Sequence, residues 1–415
     1  MSVFTPDWKL TVNGVDYTNI TLAQLSHESG RKDIYTQPIA SYLQITIVAL
    51  NNQTFNFDIN DGIALQVKDS TNAYVSLFGG NITDLTVEVG NAGAAGTEIQ
   101  YNIIAVGALA RLQKTITDGV LSQDEDGNQI LDLLDDLLLD SWNEVPAGEI
   151  WSGYDATTTW ENAGNAGLGE IDTPGLYTME NRASNSDTIY NIAALIANSA
   201  FGVIGEDNQG RIFYADADHR QNYLLNNGYI QLDAGHAIGR GLKTTTRAGD
   251  IRNDIYINYG NNFNSQKTAT DATSIATYGY KAETINSVIH SAVDAQAVAD
   301  RYITQRAYPQ PTFDTITFPL TNSEIDDADR NALLGVFMGM PVHLVNLPDQ
   351  ISSGEFEGYV EGWSWSVSFN QLYITLNLSP TAYSQVAMRW NTVPVSEAWN
   401  TLSPTLTWEY ATIVA

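Results

Sequence analysis

GWSWSVSFNQLYITLNLSP, residues Gly362–Pro380, decides how this chain is read. Large apolar side chains take every second position on either side of Asn370-Gln371. A two-residue turn at that pair sets Phe369 against Leu372, Val367 against Ile374, Trp365 against Leu376 and Trp363 against Leu378. Successive strand residues point to opposite faces, so these side chains share one face and Ser364, Ser366, Ser368, Tyr373, Thr375 and Asn377 share the other. A slip of one residue would mix the two sets. The ribbon therefore has a core face and a small, polar face suited to water, a barrel wall or a lumen. Asn-Gln is not the favoured Asn-Gly, which leaves a wider loop open.

The same pattern fills the start of the chain. WKLTVNGVDYT, YLQITIVAL, QTFNFDI, GIALQVKD, YVSLFGGNITDLTVEV and EIQYNIIAVG are short, rich in β-branched and aromatic residues, and separated by Asn, Asp or Gly. Residues 1–118 are thus expected to form an antiparallel barrel or sandwich. In SQDEDGNQILDLLDDLLLDSWNEV, Ile130, Leu133, Leu134, Leu137, Leu138 and Trp142 recur at helical spacing, with Asp on the outer face. A loop-rich stretch follows. A helix from about Thr188 to Phe201, capped by Ser186 or Asp187, comes next, and then the strand RIFYADA.

Strands resume near residue 250 with DIRNDIYINYG. A helix from about Asp294 to Tyr308 stops at Pro309, FDTITFPL is extended, and Ser323 with Asp326 resembles a capping box. Beyond Pro380 the chain carries three of its nine Trp residues. That density suggests an extension docked against something. The expected class is mainly β with an α+β insertion: a β domain (1–118), a mixed insertion (119–240), a second β domain with helices (241–380) and an extension (381–415).

Of 415 residues, 48 are acidic and 19 are Lys or Arg, a formal net charge of -29 at pH 7. A surface built to grip nucleic acid needs clustered cations, so specific binding is not expected. An acidic wall repels phosphate and would let a duplex slide past. Cysteine is absent, which removes disulfides and thiolate chemistry together. Neither a signal peptide nor a membrane span is expected.

Motifs for catalysis are missing. His27, His219, His236, His290 and His343 are scattered, without HExxH or other metal-ligand spacing. No GxSxG, P-loop or GxGxxG occurs. DEDGNQILDLLD, Asp124–Asp135, matches a calcium loop at Asp124, Asp126, Asn128 and Asp132. Gln129 stands where the turn needs Gly, and Asp135 where a bidentate Glu belongs, so an acidic first helical turn is the better reading. In ADADHR, a strand would put Asp216, Asp218 and Arg220 on one face as a surface ion pair. No cofactor is expected.

The ordered series DWKLTVNGVDYTN, ALIANSAFGVIGEDNQGRIFYADADHR, ADRYITQRAYPQPTFDTITFPL, GMPVHLVNLP and FEGYVEGWSWSVSFNQLYITLNLSP resembles the minor tail proteins of long-tailed bacteriophages, the group that includes tail or baseplate hub proteins. That resemblance implies two tube-type β domains in one chain and a homotrimer presenting six of them. The chain would then be a structural virion protein rather than an enzyme, assembled in the host cytoplasm into the virion tail. It would adapt a six-fold tube to a three-fold tip, with a tube or distal tail protein above, tip or fibre proteins below, and viral DNA passing through unbound. The polar set Ser364, Ser366, Ser368, Tyr373, Thr375 and Asn377 would face that lumen or a subunit boundary. The alternative is a receptor- or carbohydrate-binding tail protein that uses its aromatic residues; a polysaccharide-degrading enzyme comes third.

Overall fold

The computed structural model describes residues 4–135 and 171–384, apart from residues 19, 51–52, 94–95, 239–241, 243, 314, 350, 352–353 and 369–370. The expected helical positions Leu137, Leu138 and Trp142 and the extension 385–415 lie outside the described residues.

Alternation of β-branched and polar residues builds a twelve-stranded sheet. In chain order its strands are β1 (Trp8–Val12), β2 (Val15–Thr18), β3 (Thr21–Gly30), β4 (Tyr42–Leu50), β5 (Gly62–Lys68), β6 (Tyr74–Gly93) and β7 (Gly96–Val106). Then come β8 (Ile230–Asp233), β9 (Ile316–Pro319), β10 (Pro341–Val345), β11 (Phe356–Ser368) and β12 (Gln371–Pro380). They lie in the order β8-β10-β11-β3-β4-β7-β6-β5-β1-β2, and β12 pairs with both β11 and β9. Every pairing is antiparallel except β8 with β10. The fold is mainly β with α+β additions, as its periodicity predicts. In β4, Leu43, Ile45, Ile47 and Ala49 are buried while Tyr42 and Gln44 are exposed, the period of two that a one-sided sheet demands.

The ribbon forms, but two residues out of the expected register. Trp365 faces Ile374, Trp363 faces Leu376, Val367 faces Leu372, and the last pair is Ser368 with Gln371. A shift of two leaves every side chain on its predicted face, so the segregation survives the error. Phe369 and Asn370 lie outside the described residues.

β11 carries a bulge between Val360 and Gly362, with Glu361 as the extra residue. An extra residue reverses the alternation. Before it Phe356 and Val360 enter the core; after it Trp363, Trp365 and Val367 do. The same point is where β11 changes neighbour: Phe356 to Tyr359 pair with β10, and Gly362 to Val367 pair with β3. Strands from both ends of the chain thus join edge to edge over one shared core, in which Ile45, Ile63 and Phe78 lie with Phe318, Leu344 and Trp365.

A second core gathers the helices Asp126–Asp135, Ile189–Ala200 and Ala292–Arg306. It also takes Ile255 and Ile257 from a three-stranded sheet, Asp254–Tyr259, Ser265–Thr270 and Ala282–Asn286, whose last two strands have no strong apolar alternation. Caps differ from expectation by a few residues. Thr188, not Ser186 or Asp187, caps the helix Ile189–Ala200, and Asp326, not Ser323, caps Asp327–Leu334. In each case the residue three before a free amide wins, because its side-chain oxygen reaches that N–H.

Candidate interaction surface and the joint beneath it

The six polar residues of the ribbon do share one face, turned away from the core. Ser366 and Ser368 are exposed, and Ser364, Tyr373, Thr375 and Asn377 are half-buried. Strand pairing extends this face across the sheet in rows. One runs Thr317, Thr375, Ser364, Glu28, Tyr42; the next runs Tyr373, Ser366, Ser26, Gln44, Ile104, Asp84. Hydroxyl and amide pairs knit the rows, with Thr317 and Thr375 at 2.8 Å and Thr46 donating to Asn102 at 2.7 Å. The strands β3, β4, β6, β7, β9, β11 and β12 contain no Lys or Arg at all. Their charged residues are carboxylates, and the one histidine among them, His27, is buried. A broad face crossing both β regions is therefore polar and anionic, without a single fixed cation of its own.

Behind the lower end of this face sits the bulge. Glu361 is 1% exposed and accepts four hydrogen bonds: from Arg220 Nη1 (2.6 Å) and Ser379 Oγ (2.5 Å) on one oxygen, and from Arg31 Nε (2.6 Å) and Arg220 Nη2 (2.9 Å) on the other. Arg31 follows β3, and Arg220 lies in the first turn of the helix His219–Asn227 of the middle region, so one carboxylate ties three parts of the chain. Burial alone would push its pKa up; the guanidinium groups of Arg220 and Arg31 outweigh that and hold it well below the usual carboxylate range. Gly30, at φ 81°, makes the crossing possible. A Cβ there would stand 2.5 Å from the Glu361 carbonyl oxygen. Next to the joint, a cleft of about 820 Å³ opens between Ser364, Thr375 and Asn377 on one side and Tyr35, Arg247 and Asp250 on the other.

Arg220 corrects the surface-pair reading of ADADHR. The strand ends at Ala215 and a turn intervenes, so Arg220 points inward to Glu361, 141 residues away in sequence. Asp218 pairs instead with Arg301 (2.7 Å), and His219 with Asp172 (2.7 Å). Nothing local in the sequence marks Arg31, Arg220 or Glu361 as partners. The one signal is a charged residue inside an otherwise neutral strand run, GYVEGWSW.

The calcium-like loop is used internally. Asp126 is buried and accepts from the Leu176 and Tyr177 amides (2.7 and 2.8 Å) and from the Tyr214 hydroxyl (2.5 Å), which leaves its oxygens occupied. Among the described residues no group of three or more His, Asp or Glu is placed to hold a metal ion. Four histidines each face one carboxylate: His219 with Asp172, His236 with Asp329, His290 with Glu180 and His343 with Glu355. Trp8, Trp363 and Trp365, the described tryptophans, are all buried, so none of them is a sugar platform.

The sequence matches no protein-family model and no curated protein sequence. Solved structures share the fold. The 43 kDa tail protein of prophage MuSo2 from Shewanella oneidensis aligns over 91% of this chain and 99% of its own, with a TM-score of 0.55 at 12% identity. A tail protein from Neisseria meningitidis MC58 aligns over 92% and 98%, with a TM-score of 0.58 at 11% identity. The chain thus has the fold of these solved tail proteins along nearly its whole length.

Proposed function

We propose that this chain is a structural protein of a phage tail, a hub at the distal end of the tail tube that assembles as a homotrimer around a DNA-exit channel. The observation that carries the reading is the broad polar face whose strands hold no Lys or Arg, because a duplex can slide past carboxylates and hydroxyls but would be held by Lys and Arg. Edge-to-edge joining of β3 with β11 supports it too. It sets a β region near residues 1–118 beside one within 241–380, the arrangement by which three chains would present six tube-type units. In this reading Ser364, Ser366, Ser368, Tyr373, Thr375 and Asn377 line the lumen or a subunit boundary, a tube protein sits above, and tip proteins sit below. The role is mechanical, not enzymatic.

Mass measurement and negative-stain imaging of the purified chain test this. A trimer with a three-fold ring and an axial hole is expected; a monomer at virion-like concentrations overturns it. Absence of cysteine allows a second readout on the same particles. Ser366→Cys in the ring should react with a small maleimide and resist one carried on a polymer too wide for the hole. Equal reaction with both would remove the face from any lumen or boundary.

A further inference from the structure

The helix Ala292–Arg306 ends on a buried cation. Arg306 is 4% exposed, and among the described residues its guanidinium makes no hydrogen bond and no ion pair; Nη1 is fully buried and unpartnered. It lies against the rings of Tyr383 (4.2 Å to the centroid) and Tyr35 (5.4 Å). A helix C-terminus favours a cation and ring faces attract one, but neither gives the buried Nη1 donors an acceptor. Buried charges are ordinarily paired, because desolvation costs several kcal/mol per ion.

Arg306 lines a cavity of about 240 Å³ together with Arg31, Arg220 and Arg301. Three of the carboxylates nearby already hold a cation. Glu361 is shared by Arg31 and Arg220, Asp218 is held by Arg301, and Glu283 is held by Arg252 and the Tyr302 hydroxyl. Asp216, also on the wall, accepts the Asp218 amide at 2.9 Å. Around Glu361 three guanidinium groups therefore meet one carboxylate, a local excess of cation in a chain of net charge -29.

We propose that this cavity is a binding site for a small oxyanion of the phosphate type, seated against Arg306 at the meeting point of the N-terminal β region, the middle region and the bulge. Planar N–H forks match tetrahedral and carboxylate oxygens. Bound there, the anion would neutralise the excess charge and brace the three regions against one another.

Thermal unfolding of the full chain, titrated with inorganic phosphate against chloride at constant ionic strength, is the test. A saturable rise in Tm is expected, since a ligand that binds only the native state stabilises it. Arg306→Gln should abolish the rise, and Arg306→Lys, which keeps the charge but loses the fork, should raise the half-saturating concentration about tenfold. Should Arg306→Gln fail to fold, phosphorus NMR on the unaltered chain gives the answer directly, as saturable broadening of the phosphate line. No saturable response in either measurement, or the same Tm rise in Arg306→Gln, overturns the proposal.

Discussion

Replacing Glu361 by Gln keeps the shape of the joint and removes its charge. In the native protein four donors converge on two carboxylate oxygens, three of them N–H groups of Arg31 and Arg220. An amide offers one acceptor oxygen and turns an NH2 towards the donors of the other pair. One oxygen's hydrogen bonds are lost outright, and two guanidinium groups, 9% and 7% exposed, are left buried without a counter-ion. Removing one partner of a buried ion pair costs about 3–5 kcal/mol. Total stability is on the order of 5–15 kcal/mol, so Glu361→Gln should unfold at markedly lower urea concentration. The fluorescence of Trp363 and Trp365, buried in the adjacent core, reports the transition. The effect also has a pH signature. The carboxyl is depressed from its ordinary 4.5, so its stabilisation is fully present above about pH 4.5 and is lost as pH falls towards the folded value. The gap between native protein and variant should accordingly narrow in acid. A loss below about 1 kcal/mol at pH 7, in the range of ordinary surface substitutions, would refute the claim that this carboxylate holds the joint.

Two further outcomes follow from buried groups near the same seam. His27 faces Trp365 across β3 and β11, packs edge-on to Phe78 at 5.6 Å, and is pushed down by burial from 6.5 to about 3. It stays neutral when folded, so stability is lost as pH falls from 6.5 towards 3, by about 5 kcal/mol in all; Tm measured against pH should show that decline and His27→Phe should flatten it, whereas parallel curves would exclude it. Gly30→Ala should cost about 2–4 kcal/mol from positive φ and a Cβ 2.5 Å from backbone, against about 1 kcal/mol for Gly14→Ala, where φ is 74° and the space is open; equal losses in urea melts would contradict the close crossing.

Faces were legible in the sequence wherever a local rule sets them. Alternation assigned the core and polar sides of the ribbon correctly, and helical spacing found Ile189–Ala200 and Ala292–Arg306 within a few residues. Long-range choices were not legible. The pairing of β3 with β11 and the reach of Arg220 to Glu361 depend on which distant segment packs alongside, and no local periodicity encodes that. Ser265–Thr270 and Ala282–Asn286 escaped because their exposed residues are Ser, Gln, Thr, Ala and Asn, their inward positions include Lys267 and Glu283, and their neighbour Asp254–Tyr259 supplies most of the apolar face. Glu361 was hidden for a related reason. Both halves of β11 alternate, and an extra residue between them looks like more strand.

That extra residue explains why the ribbon adopts one register when its apolar pattern allows two. Moving β12 by two positions keeps Leu372, Ile374 and Leu376 against the core, so hydrophobic burial hardly distinguishes the alternatives. Polar contacts do. A two-residue slip displaces Ser379 from Glu361, and Thr375 from Thr317, by about 6.8 Å, twice the rise per strand residue. It would remove a hydrogen bond from a fully buried carboxylate and leave β9 out of step with β12. Leaving such a group short of a partner costs about 1–3 kcal/mol, enough to select one register over the other by a factor of about 5 to 150. The same carboxylate fixes β11 against β3, because Arg31 and the close approach of Gly30 admit no neighbouring alignment. Apolar alternation therefore chooses the faces, and the buried charge at the bulge chooses which residues meet on them. On that second choice depends whether the polar rows of the two β regions line up as one continuous face.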